Sequence, residues 1–184
     1  MFNLIVAVIS IALIAAMAAA SIFYGGAAFG SGTAQAQAST LVNNGQQISG
    51  AQQLYMIDNS GNRANNIDVL TPAYLQALPT APANSTGTNA TDVGAWEIAA
   101  NGTFAYIPLN NSNGGANTSP AATVCAELVA QGAAANVTMT GNLTAASAFG
   151  TDGLDIGDNQ FACVVDAAAA INGGTGLAHF VFKL

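Results

Sequence analysis

No charged side chain occurs before Asp58, so 57 residues pass in which only packing and neutral polar groups can direct folding. The first 24 of them (MFNLIVAVISIALIAAMAAASIFY) hold just Asn3, Ser10, Ser21 and the Tyr24 hydroxyl as polar groups. At a rise of about 1.5 Å per residue, twenty-odd apolar helical residues cross a bilayer core of about 30 Å. The segment therefore reads as a membrane-length helix and not as the core helix of a soluble domain. A secretory signal carries a basic region ahead of a shorter apolar run, and no Lys or Arg precedes this one. Flanking positive charge normally orients a membrane helix. The expectation is that a basic leader has been cut away immediately before the apolar run, leaving the run in place.

Gly25, Gly26, Gly30 and Gly32 follow within eight residues. Each weakens a helix by about 1 kcal/mol relative to alanine, which predicts an unwound stretch here. From Thr33 the helical pattern resumes: Leu41, Ile48 and Tyr55 recur every seven residues, joined by Val42, Ala51 and Leu54. Gln35, Gln37, Asn43, Gln46, Gln47, Gln52 and Gln53 lie between them, giving an amphipathic helix with an uncharged polar back. Gly61 is its expected C-terminal cap. Three parts result: an apolar helix with a glycine-rich break (1–32), an amphipathic helix (33–60) and a globular head (61–184).

The head shows alternating helix and strand signals. A short helical turn is expected from Thr71 to Pro79, with Thr71 as cap and Pro72 in the first position. Strands over 94–99 and 103–109 flank Asn101-Gly102, a strong hairpin signal. A second helix runs from Ser119-Pro120 to Gly132, with Val124, Cys125, Leu128 and Val129 as its buried stripe. Further strands fit 136–140, 161–165 and 177–183, and loops fit 80–92 and 110–117. The fold class is α+β, a long N-terminal helix packed on a small antiparallel sheet.

Charge excludes several partners. Charged residues make up 6% of the chain, against about a quarter in ordinary soluble proteins. Its two basic residues, Arg63 and Lys183, cannot track a phosphate backbone, so no nucleic acid is expected. The formal net charge of -7 and abundant Asn, Ser, Thr and Gln keep the head soluble. Two cysteines, Cys125 and Cys163, beyond an apolar N-terminal segment suit an exported domain with one disulfide. Closing that loop is worth about 4 kcal/mol in the chain-entropy model.

Enzyme chemistry finds no support. His179 is the lone histidine and reads as a surface or interface residue, and neither a nucleophile elbow nor a phosphate loop is present. No cofactor is expected, apart from calcium as a candidate at Asp152, Asp155 and Asp158, which offer hard oxygen ligands in a glycine-containing loop without EF-hand spacing. N-x-S/T triplets occur at Asn84, Asn89, Asn101, Asn110, Asn136 and Asn142, and at Asn117, where Pro120 makes a poorer acceptor. They are glycosylation candidates, against the simpler reading of a low-charge polar coat. Phe2, Phe23, Tyr24 and Phe29 read as packing groups between subunits.

The layout of apolar helix, amphipathic helix, loop, small sheet and late disulfide resembles type IV pilins and the pseudopilins of type II secretion. Residues 70–79 (LTPAYLQALP) are similar to the pseudopilin segment in which Tyr-Leu precedes Leu-Pro, and residues 124–129 (VCAELV) to the cysteine-bearing helix of type IVb pilins. The resemblance implies a major pilin that is held in the inner membrane, cut and N-terminally methylated by a prepilin peptidase, and polymerised with copies of itself by a pilus assembly machinery. The resulting extracellular fibre would support adhesion, aggregation, motility or phage reception. The filament core would comprise Met1, Phe2, Leu4, Ile5, Val6, Val8, Ile9, Ile11, Leu13, Ile14, Met17, Ile22 and Phe23. The alternatives are a pseudopilin or minor pilin, and a single-pass membrane-anchored binding domain. Where the family carries a first-turn glutamate, this chain has Ile5. The early polar substitute is Asn3, and assembly would have to proceed by apolar packing without the family's charge pairing.

Overall fold

The computed structural model describes residues 2–80, 82, 96–99, 101–109, 120–139, 156–166 and 178–184. Helix α1 runs over Phe2–Asp58. The chain divides into two compact units, Met1–Ala34 and Gln35–Leu184, so the amphipathic half of α1 belongs with the sheet.

The expected break at Gly25, Gly26, Gly30 and Gly32 is absent, because α1 is helical throughout this stretch. Four glycines cost several kcal/mol of propensity. Opening a helix in its middle, however, forfeits its hydrogen bonds and requires a second nucleation on the far side. Locally, the Thr33 hydroxyl donates to the Gly30 carbonyl at 2.9 Å.

Within Gln35–Leu184, the buried positions of α1 are Ala38, Leu41, Asn44, Gly45, Ile48, Ala51 and Gln52. Leu41, Ile48 and Ala51 fall where the heptad places them, while Tyr55 is half-buried and Leu54 exposed. Gln52, expected on the polar back, is wholly buried, and its amide donates to the carbonyls of Ala64 (3.2 Å) and Gly102 (3.3 Å). A side chain that can satisfy two buried carbonyls stays inside despite its polarity. Asn44 is likewise buried and donates to the Thr80 carbonyl at 3.0 Å. At the helix end the left-handed residue is Ser60 (φ 58°), followed by Gly61 (φ 85°), whose N–H closes a six-residue cap onto the Met56 carbonyl at 2.7 Å.

The expected turn at Thr71–Pro79 moves toward the N-terminus. A single 3-10 turn spans Ile67–Leu70, capped by the Asn66 side chain, which accepts from the Asp68 N–H, and Thr71 closes it. The Thr71–Pro72 peptide is cis, and the N–H groups of Tyr74 and Leu75 both donate to the Leu70 carbonyl. Asn66 wins the capping role because its short amide reaches the free N–H two residues on.

Among the described residues five strands form one sheet: β1 Glu97–Ile98, β2 Phe104–Leu109, β3 Ala134–Met139, β4 Phe161–Asp166 and β5 Ala178–Lys183, in the order β1-β2-β5-β4-β3. The four strands β1-β2-β5-β4 pair antiparallel, and β3 joins the edge parallel to β4. The β1–β2 hairpin turns at Asn101-Gly102 as expected; Gly102 has φ 69° and the Asn101 carboxamide oxygen accepts from the Thr103 N–H and hydroxyl. Helix α2, Pro120–Ala130, precedes β3 and ends in a Schellman cap. Gly132 (φ 101°) donates to Val129, and Ala133 donates to Leu128. Ala121, Val124 and Leu128 are buried and Cys125 partly so, but Val129, expected in the stripe, is exposed, being one residue beyond the 121–124–128 face.

β5 is buried on both faces. One holds Phe180 and Phe182 with Phe161 and Trp96, at ring separations of 5.9 to 6.4 Å. The other side of the core gathers Phe104, Tyr106, Ile156, Val164 and Val181. His179 is also buried there, edge-on to Tyr106, and not on the surface as its polarity suggested. Its place in the central strand, paired with Val164 and Pro108, leaves it no route to solvent. The expected loops 80–92 and 110–117 and residues Gly94 and Ser119 fall outside the described residues, apart from Thr80 and Pro82.

Candidate functional site: the exposed apolar helix

Residues Asn3–Phe23 of α1 form a helix 21 residues long that is apolar enough to cross a membrane. Leu4, Ile5, Val6, Val8, Ile9, Ile11, Leu13, Ile14, Met17, Ile22 and Phe23 are all more than half exposed, from 52% at Leu13 to 83% at Phe23. Consecutive apolar positions cover every side of the helix, so no polar stripe exists to face water. Burying these side chains would contribute on the order of 20 kcal/mol, an upper figure because neighbours on the helix already shield part of each.

The polar groups of the segment are closed internally. Ser10 donates to the Val6 carbonyl at 2.8 Å and Ser21 to the Met17 carbonyl at 3.1 Å. Hydroxyls satisfied within one helix impose no cost when it enters an apolar surrounding. Asn3 alone keeps an amide side chain near the helix start. The side chains of Met1, Phe2, Tyr24 and Phe29 lie outside the described residues, so the aromatic grouping is represented by the exposed Phe23.

The head closes around its cross-link. Cys125 of α2 and Cys163 of β4 are joined as a disulfide, with Cα atoms 5.6 Å apart, across a sequence separation of 38. Arg63 links the hairpin turn to the end of β5: its guanidinium donates to the carbonyls of Gly102 (3.2 Å) and Leu184 (2.9 Å). Tyr74 donates its hydroxyl to the Asp58 carboxylate at 3.0 Å, and this bond, with the nearby negative charge, raises the phenol pKa above its ordinary value.

The remaining candidates are not brought together among the described residues. Asp158 sits exposed in a turn, while Asp152 and Asp155 fall outside the described residues. Asn84, Asn89, Asn110, Asn117 and Asn142 also fall outside; Asn136 lies in β3, and Asn101 is part-buried with its oxygen engaged in the hairpin. Sequence reasoning missed Gln52, Asn44, Gly45 and Arg63. The signal for Arg63 was its rarity, as one of two cations in the chain.

Comparison of the chain with models of known families, with curated proteins and with solved structures finds no match.

Proposed function

We propose that the chain is the structural subunit of an extracellular, pilus-like filament. It would be held in a membrane by the Asn3–Phe23 helix and then polymerised with copies of itself through that same helix. The observation that carries this reading is the all-round exposure of 21 charge-free helical residues in a chain whose other unit is a disulfide-closed α+β head. A helix of this kind is unstable in water and needs either lipid or other apolar helices. Filament packing uses one segment for both. Adhesion, aggregation, motility or phage reception would be properties of the fibre, and an assembly machinery and a leader peptidase are the partners this reading implies.

Electron microscopy of material sheared from the cell surface tests it. The expected result is long filaments composed mainly of this chain, labelled by antibody to the head. Filaments that form only on overexpression would shift the reading to a minor pilin or pseudopilin. A detergent-soluble monomer with no surface fibre would overturn the filament and leave a single-pass anchored domain, for which the length of Asn3–Phe23 suffices.

A further inference from the structure

Between the 3-10 turn and the edge strand β1 lies an open cleft of about 410 Å³, all of it within the 35–184 unit. Ile67 and Ile98, both buried, contribute apolar wall, and Asn65, Asn66, Asp68 and Glu97 supply polar groups. Trp96 also lines it. The carboxylates of Asp68 and Glu97 accept hydrogen bonds and repel anions. One Glu97 oxygen is already fixed by the Tyr106 hydroxyl, and the Asn66 oxygen is occupied in capping Asp68, which leaves the Asn66 amide N–H groups as donors. The indole N–H of Trp96 is fully buried and meets no acceptor among the described residues. A buried unmade hydrogen bond costs stability, and a ligand oxygen reaching that donor as the wall gives way recovers part of the cost.

These requirements narrow the ligand. An ammonium group or a metal ion offers nothing to the indole N–H or the Asn66 amide. A phosphate or carboxylate is opposed by Asp68 and Glu97. Hydroxyl groups both donate and accept, and a hexose ring also has an apolar C–H face for the exposed Leu78 and the edges of Ile67 and Ile98. We propose that this cleft is a saccharide-binding site, taking one neutral sugar unit of a cell-surface or extracellular glycan. The proposal stands apart from the filament reading, because every residue it uses belongs to the head.

Trp96 is the only tryptophan of the chain, so its fluorescence reports on the cleft directly. Full-length protein in mild detergent is titrated separately with glucose, galactose, mannose, N-acetylglucosamine and, as a control, calcium chloride. The expected result is a saturable change in Trp96 emission with at least one sugar, at a dissociation constant of about 1–10 mM as befits a small polar ligand. Asp68→Ala, at an exposed side chain, is expected to weaken it roughly tenfold, with circular dichroism and melting unchanged. Asn65→Ala provides a second variant should the first disturb the turn. A strictly linear response to every sugar, a saturable response that both variants leave intact, or a response reproduced by calcium chloride alone would overturn the proposal.

Discussion

Gly45 faces the ring of Phe182, and the substitution Gly45→Ala measures how tightly α1 is seated on β5. A methyl group there would lie 2.5 Å from both Cδ2 and Cγ of Phe182 and 3.0 Å from its Cβ. Phe182 cannot swing aside, since it is 2% exposed and stacks on Phe161 at 6.3 Å between centroids. Overpacking of this kind costs about 1–3 kcal/mol. Replacing a mid-helix glycine by alanine returns about 1 kcal/mol of helix propensity, so the net loss should be about 0–2 kcal/mol. Gly50 supplies the internal control: it lies in the same helix, is exposed, and a methyl group there meets nothing within 4 Å. Gly50→Ala should therefore stabilise by about 0.5–1 kcal/mol. The difference between the two variants isolates the steric term at about 1–3 kcal/mol. Urea unfolding of the full chain in mild detergent, followed by Trp96 fluorescence, gives both values. Adding Phe182→Leu should remove most of the Gly45→Ala penalty, measured as a coupling energy in a double-mutant cycle. If Gly45→Ala and Gly50→Ala stabilise equally, the seating of α1 on β5 inferred from the glycine is wrong.

Four further outcomes are expected. Ile9→Lys places a charge that costs about 3 kcal/mol within an apolar span, and should abolish surface filaments while the head keeps its disulfide and near-ultraviolet spectrum; normal filaments would count against the assembly reading. Changing Cys125 and Cys163 together to serine should lower head stability by about 4 kcal/mol, read as a shifted unfolding midpoint. Gly102→Ala should destabilise by more than about 1 kcal/mol, since φ is 69° and a methyl group would meet the Ala64 carbonyl oxygen at 2.8 Å and Arg63 Cβ at 2.6 Å. For Tyr74 the raised phenol pKa means its bond to Asp58 contributes below the ordinary phenol pKa of about 10 and is lost as pH rises through the folded value. The stability gap between the native chain and Tyr74→Phe should thus vanish at strongly alkaline pH and be constant near neutrality.

Much of the architecture was legible because it rests on local chemistry. Asn101-Gly102 announced its hairpin, Pro120 and Gly132 bounded α2, and the Leu41–Ile48 heptad marked the face of α1 that packs on the sheet. What escaped depended on partners distant in sequence. Gln52 reads as a surface glutamine until the carbonyls of Ala64 and Gly102 are seen above it. His179 reads as exposed until β2 and β4 flank its strand. The parallel pairing of β3 follows from the return of the chain to β4, and no propensity in Ala134–Met139 encodes that direction. Gly25 to Gly32 misled for a different reason: residue propensities weigh positions singly, whereas helix continuity is cooperative. Of the candidate assembly surface, the whole apolar run was legible; the cleft beside Trp96 was not, because its walls come from three separate stretches, 65–68, Leu78 and 96–98.

The absence of charge along Asn3–Phe23 has a consequence for how anything joined to it could come apart. Neither charge screening by salt nor titration can weaken a contact made by Asn3–Phe23, which has no ionisable side chain, and salting-out ions would only tighten it. Release would require an agent that competes for apolar surface, such as detergent. Register would likewise have to be chosen by contour, with the methyl-sized alanines at 15, 16, 18, 19 and 20 opposing bulkier Ile, Leu and Phe side chains. A contact built on this helix alone would not be loosened by brine or acid yet would dissolve in soap.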